Sequence, residues 1–196
     1  MISAILLAAG SSTRMGMPKA LLDWGGQPLV RYQVEQLCEA GVDEVIVVLG
    51  YRGDDIRRLL RGLNCRAMLN PRFQLGRAGS LRIGAKATAY NTDAIIVVNV
   101  DQPRPAAFYR DLIAAHRPGA AATRPTANGR HGHPVIVSGS LRTELLEASD
   151  ADEGLRGILA RHAGEVVDIP ADEVCLLDIN TPEEYTAAHE ALGQRA

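Results

Sequence analysis

Three apolar runs constrain what this chain can fold into: residues 5–9, 44–49 and 94–100. The second carries Val45-Ile46-Val47-Val48 and the third Ile95-Ile96-Val97-Val98, with no polar alternation. A strand that is apolar at every position is covered on both faces, as happens in parallel sheets with helices on either side. Helical segments separate the runs. Pro28 suits a first helical turn, and Leu29, Tyr32, Val34 and Leu37 supply an apolar face that ends near Ala40-Gly41. Further helices are expected over residues 54–60, from residue 79 or 80 to 89, and over 105–116, with a short strand at 65–69. This alternation predicts an α/β fold, a mostly parallel sheet between two helical layers.

The second half is less regular. It reads as strands at 120–123 and 135–137 around a loop at 128–134, helices at 141–148 and 154–162, and strands at 166–169 and 174–179. Pro182 opens a last helix with Thr181 as its N-cap. Repeats, linkers and low-complexity segments are absent, so the expectation is one domain, with residues 128–179 extending the same sheet.

Composition enters mainly by what it excludes. With 21 basic and 23 acidic residues in 196, the net charge is −2, without the basic excess of a nucleic-acid protein. Cys38, Cys65 and Cys175 are scattered, with no C-x-x-C or Cys/His cluster to hold zinc. They read as core-filling thiols of a reducing compartment. The start lacks the basic lead-in of a signal peptide, and no apolar run approaches the roughly 20 residues that span a bilayer. The chain is therefore expected in the cytoplasm, away from membranes.

The first apolar run stops at Gly10. A loop of small and hydroxylated residues follows, Ser11-Ser12-Thr13-Arg14-Met15-Gly16-Met17-Pro18-Lys19, with two cations and no carboxylate. Backbone N–H groups in such a loop form an anion-binding nest, and Arg14 and Lys19 add a fork and a point charge. Five residues separate Gly10 from Gly16, so this is not the P-loop. Ser12 stands where the dinucleotide fingerprint needs glycine.

In open α/β sheets ligands bind beyond the carboxyl ends of the strands. Three features reach that edge: the opening loop, a second glycine loop (Gln74-Leu75-Gly76-Arg77-Ala78-Gly79-Ser80), and Asp101 in Asp101-Gln102-Pro103. Asp101 reads either as a turn residue or as a magnesium ligand. The cationic loop beside it favours the metal, which needs only one or two carboxylates when phosphates and water complete its shell. Asp178, with the amide oxygen of Asn180 two residues on, is a second candidate, although Asn180-Thr181-Pro182 is also an ordinary helix start. His131 and His133 lie in a glycine-bearing loop where substrate contact is possible. No Ser/His/Asp or Cys/His nucleophile set is present. Phosphate recognition with magnesium and no evident base points to phosphoryl or nucleotidyl transfer.

The residues Leu7-Ala8-Ala9-Gly10-Ser11-Ser12-Thr13-Arg14-Met15-Gly16, Pro18-Lys19, Gly79-Ser80-Leu81-Arg82, Asp101-Gln102-Pro103, Gly132-His133-Pro134 and Asp178-Ile179-Asn180-Thr181-Pro182 resemble the molybdenum-cofactor nucleotidylyltransferases in identity and order. That resemblance implies a single-domain, three-layer α/β/α glycosyltransferase-A-like (nucleotide-diphospho-sugar transferase) fold. Residues 1–125 would form a nucleotide-binding half and residues 126–196 an acceptor-side extension.

The resemblance also implies roles. Leu7, Ala8, Ala9, Gly10 and Ser11 would line the nucleotide, with Arg14 and Lys19 on the triphosphate. Gly79 and Ser80 would read base or ribose. Gly132, His133 and Pro134 would meet the acceptor. Asp101 would hold Mg2+ with Asn180 or Asp178. The implied reaction is CMP transfer from CTP to molybdopterin with release of pyrophosphate. Ala8-Ala9 and Gly132-His133-Pro134 favour CTP, whereas Asn180 occurs more in the GTP-using branch. Guanylyl transfer from GTP is therefore the near alternative, and transfer to another phosphorylated acceptor a further one. A molybdoenzyme or its chaperone would be the partner. A redox enzyme or non-catalytic binder on the same scaffold is the alternative of another class.

Overall fold

The structure, a computed structural model, describes residues 1–11 and 15–193. The apolar runs form the centre of one sheet: β1 (Ile2–Ala8), β2 (Glu44–Leu49), β3 (Arg66–Leu69) and β4 (Ala94–Asn99) pair in parallel in the order β3-β2-β1-β4. Beyond β4 lie β7 (Val135–Ser138), antiparallel to it, and then β5 (Ala122–Ala127), antiparallel to β7. The two-residue β6 (Arg130–His131) shares an edge of β5 with β7, and β8 (Val166–Pro170) runs parallel to β5.

Residue parity in β1 explains the layering. Ala4, Leu6 and Ala8 face α1 (Leu29–Glu39), α2 (Gly53–Leu59), α4 (Ala106–Ala115) and α7 (Pro182–Gly193), whereas Ile5 packs with α3 (Arg77–Ala87), α5 (Arg142–Glu147) and α6 (Leu155–Arg161). In β2 the same parity sends Val45, Val47 and Leu49 one way and Ile46 and Val48 the other. Each such side chain is worth roughly 1.5–3 kcal/mol when fully buried, so the run fixes both layers at once. The expected single α/β domain with a mostly parallel sheet is what forms. Among the described residues no helix is long and apolar enough to cross a membrane.

Four expectations need correction. The third helix begins at Arg77, not at residue 79 or 80. Asp150, distant in sequence, accepts hydrogen bonds from the backbone N–H of Arg77 (2.9 Å) and Ala78 (3.1 Å), so the first helical turn is capped from outside. Residues 174–179 are not a strand. Glu173–Leu176 form a 3-10 turn, and the segment after it follows Asp101 through Ile179 N–H to Asp101 O at 2.9 Å. The expected short strand at 120–123 lies later, as β5, and part of the expected 128–134 loop is β6.

Candidate active site

A cavity of about 340 Å³ opens where β1 and β4 end, the position expected for an open α/β sheet. The residues after those strands form two walls. Leu7, Ala8, Ala9 and Gly10 supply one, and Asn99, Val100 and Asp101 the other. Tyr51 N–H donates to Ala9 O at 3.1 Å and Val100 N–H to Leu7 O at 3.0 Å, which anchors both walls to neighbouring strand ends.

Lys19 closes the cavity at its Asp101 end. It leads a 3-10 turn, Lys19–Leu21, after the buried Pro18. Its Nζ lies 2.7 Å from Asp101 Oδ2 and 2.9 Å from Asn180 Oδ1. The lysine and aspartate side chains are only 12% and 23% exposed, so this charge pair is largely shielded from solvent. Two hard oxygens therefore converge on one cationic point, a donor set that fits magnesium or manganese. Among the described residues no group of three or more His, Cys, Asp or Glu could hold a metal; Asp101 and Asn180 would leave the rest of the shell to substrate oxygens and water.

Asn180 reaches this point because α7 is capped at its doorstep. Glu184 Oε2 accepts from Asn180 N–H (2.7 Å) and Thr181 N–H (3.1 Å), and Thr181 Oγ1 accepts from Glu184 N–H (3.2 Å). This reciprocal capping satisfies the backbone and leaves the Asn180 side chain to the site.

The structure thus gathers Leu7, Ala8, Ala9, Gly10, Lys19, Ser80, Asp101 and Asn180 around one cavity. It places other candidates elsewhere. Gly79 borders a separate groove beside Arg82 and Asp150. Ser11 is exposed and outside the lining, and Arg14 lies outside the described residues, with Ser12 and Thr13. Asp178 is exposed and accepts from Gln102 Nε2 at 2.8 Å; Lys19 bridges to Asn180 instead. Gly132, His133 and Pro134 are not cavity lining. A Cβ on Gly132 would stand 2.5 Å from Cys175 O, and His133 N–H donates to that same oxygen at 2.9 Å. Burial holds the His133 imidazole below its ordinary pKa.

Three residues of importance escaped the sequence reading. Arg77 and Asn99 line the cavity. Arg104 is fully buried and donates to the carbonyls of Pro103 (2.7 Å), His133 (3.2 Å), Cys175 (2.9 Å) and Leu177 (3.0 Å), joining the β6–β7 connection to the segment that delivers Asn180. Burial pulls its pKa down. For Arg77 the sequence offers a cation inside a glycine loop but not its entry into the cavity; for Arg104 only Pro103 and Pro105 mark the spot.

The sequence profile of the MobA-like NTP transferase domain matches residues 4–166. The chain belongs to that family. It is, accordingly, a nucleotidyltransferase-class enzyme. This MobA-like chain is 30% identical over 193 residues to nicotine blue oxidoreductase of Paenarthrobacter nicotinovorans, covering 93% of this chain and 94% of the relative. It is 28% identical over 194 residues to the molybdenum cofactor cytidylyltransferase of Escherichia coli strain K12, covering 96% of each. Among solved structures, a nucleotidyl transferase from Methanothermobacter thermautotroptrophicus superposes with a TM-score of 0.85 at 26% identity, over 100% of this chain and 99% of that one. The manganese complex of Rv0371C from Mycobacterium tuberculosis H37Rv does so at 0.78 and 25%, over 97% and 98%.

Proposed function

We propose that this enzyme transfers CMP from CTP to the terminal phosphate of a molybdopterin-type cofactor in the cytoplasm, releasing pyrophosphate. The observation that carries the reading is the Lys19 ammonium held between Asp101 and Asn180 at the end of the Leu7–Gly10 wall. In the proposed complex, Ala8, Ala9 and Gly10 present backbone groups to the base, and Ser80 approaches from the α3 side. Asp101 and Asn180 would hold Mg2+, which when bound neutralises charge on the reacting phosphates. Lys19, with Arg14, stabilises the charge gathering on the leaving pyrophosphate. No protein base is required, because a phosphate monoester with a second pKa of about 6 is largely ionised at neutral pH. Residues 126–196, including Gly132, His133 and Pro134, are assigned to the acceptor side. A molybdoenzyme or its chaperone is the proposed recipient of the product.

GTP is the alternative nucleotide, favoured by Asn180. A redox activity is a second reading, favoured by the relative named as an oxidoreductase. One assay separates them. Protein, magnesium and molybdenum cofactor are mixed with CTP, GTP, ATP or UTP, and pyrophosphate is measured. Release with CTP is expected; preference for GTP changes the branch, and no release with any nucleotide removes the transferase reading. Asp101→Ala is expected to abolish turnover, and a wild-type rate would remove Asp101 from the metal side.

A further inference from the structure

A continuous hydrogen-bond chain leads from Asp178 to the cavity wall, where it ends on a cation. Arg77 Nη2 donates to Asn99 Oδ1 at 2.8 Å, Asn99 Nδ2 donates to Gln102 Oε1 at 2.9 Å, and Gln102 Nε2 donates to Asp178 Oδ1 at 2.8 Å. The network itself sets the direction of both amides. Gln102 Oε1 also accepts from the backbone N–H of Asn99 at 3.2 Å, a group that can only donate. The Gln102 amide must then present its nitrogen to Asp178, and Asn99 must present its oxygen to Arg77. Gln102 is 3% exposed, so the middle of the chain is shielded.

The chain leaves Arg77 with one N–H engaged. Among the described residues no carboxylate lies within ion-pair distance of its guanidinium, and Asp150 meets only its backbone N–H. The other donors of the planar fork are free at a cavity it lines. A guanidinium fork tethered at one N–H, with spare donors, suits phosphate oxygens in two-point contact.

We propose that Arg77 holds a phosphate oxyanion in this cavity, and that Asp178 is the positioning residue that orients it through Gln102 and Asn99, not a metal ligand. The source of the phosphate rests on the transferase reading: the acceptor's phosphate monoester or a phosphate of the nucleotide. The oxyanion site does not rest on it.

The experiment has two arms. Without turnover, inorganic phosphate is titrated in thermal-shift measurements. Wild type and Asp101→Ala are expected to show the stabilisation that ligand binding to the native state brings, Arg77→Met to lose it and Arg77→Lys to retain part. Equal shifts in wild type and Arg77→Met overturn the site. With turnover, Arg77→Met is expected to raise one KM about 10-fold or more, as loss of a charge-assisted bond does, while kcat changes less. A rise for the acceptor names the acceptor phosphate, and a rise for the nucleotide names the nucleotide. Asp178→Ala should raise the same KM by a smaller factor and add nothing on top of Arg77→Met, since members of one network couple. A fall in kcat with weakened Mn2+ binding in Asp178→Ala, additive with Arg77→Met, would overturn the positioning role and return Asp178 to the metal.

Discussion

Lys19 holds, with a single positive charge, the two oxygens that a divalent ion would need. Its ammonium lies within 3 Å of both Asp101 Oδ2 and Asn180 Oδ1, so in the proposed function a divalent cation binding there would displace it toward the substrate phosphates. Lys19→Met is expected to cut turnover about 100-fold or more, the scale of a lost transition-state donor. The same variant should tighten Mn2+ binding in the absence of nucleotide, read by electron paramagnetic resonance; unchanged affinity would show that the ammonium does not contest that position. His133 makes a pH prediction. Burial, the largest cause, keeps its pKa below the ordinary 6.5, and burial does the same to His116. The unfolded chain therefore takes up protons at a pH where the folded chain stays neutral. Stability is fully present above about 6.5 and is lost as pH falls from there toward the folded value. The depressed carboxylates Asp168 and Glu144 are lost only at lower pH. Urea midpoints should fall between pH 7 and 5.5, and His133→Gln should flatten that slope; an unchanged slope would exclude His133 as a source.

At the level of elements, the start of α3 shows where local signals stop. The stretch Gln74 to Ser80 announces a loop entering a helix, yet nothing within it says which residue begins the helix. Gly76 has φ 126°, and a Cβ there would stand 2.0 Å from Asp150 Oδ2. The carboxylate thus needs glycine at that position to reach the first helical N–H groups. Asp150→Ala is expected to cost about 1 kcal/mol in denaturant unfolding, as loss of an N-cap does, and to loosen Arg77 at the cavity; an unaltered midpoint would show that the cap is dispensable. α7 behaves oppositely. Its boundary was legible because Thr181, Pro182 and Glu184 are neighbours in sequence, and its capping is local. At the 3-10 turn Glu173–Leu176 the apolar Val174, Leu176 and Leu177 imitate a strand in sequence. The Arg104 guanidinium instead takes the carbonyls of Cys175 and Leu177, and a strand ladder would compete for those oxygens.

For the molecule as a whole, the site depends on the last helix returning to the first loop. Trp24 makes that junction: it is 6% exposed, with ring centroids 5.9 Å from Tyr32, 5.9 Å from Tyr185 and 5.1 Å from His189. The Tyr185 hydroxyl donates to Asp23 O. Trp24→Ala is expected to destabilise the fold by about 3–5 kcal/mol and to raise the metal requirement by letting Asn180 drift; a loss of stability with unchanged metal dependence would confine Trp24 to packing. The sequence alone determined the central sheet, because uninterrupted β-branched runs can be buried only between two helical layers. It also determined the loop walls and Asp101, because strand ends in such a sheet face one edge. The tertiary structure alone decided that Asn180, and not Asp178, shares Lys19 with Asp101, and that Arg77 enters the cavity. Both outcomes rest on hydrogen bonds between residues far apart in the chain, Ile179 to Asp101 and Asp150 to α3, and no periodicity or local spacing encodes such pairings.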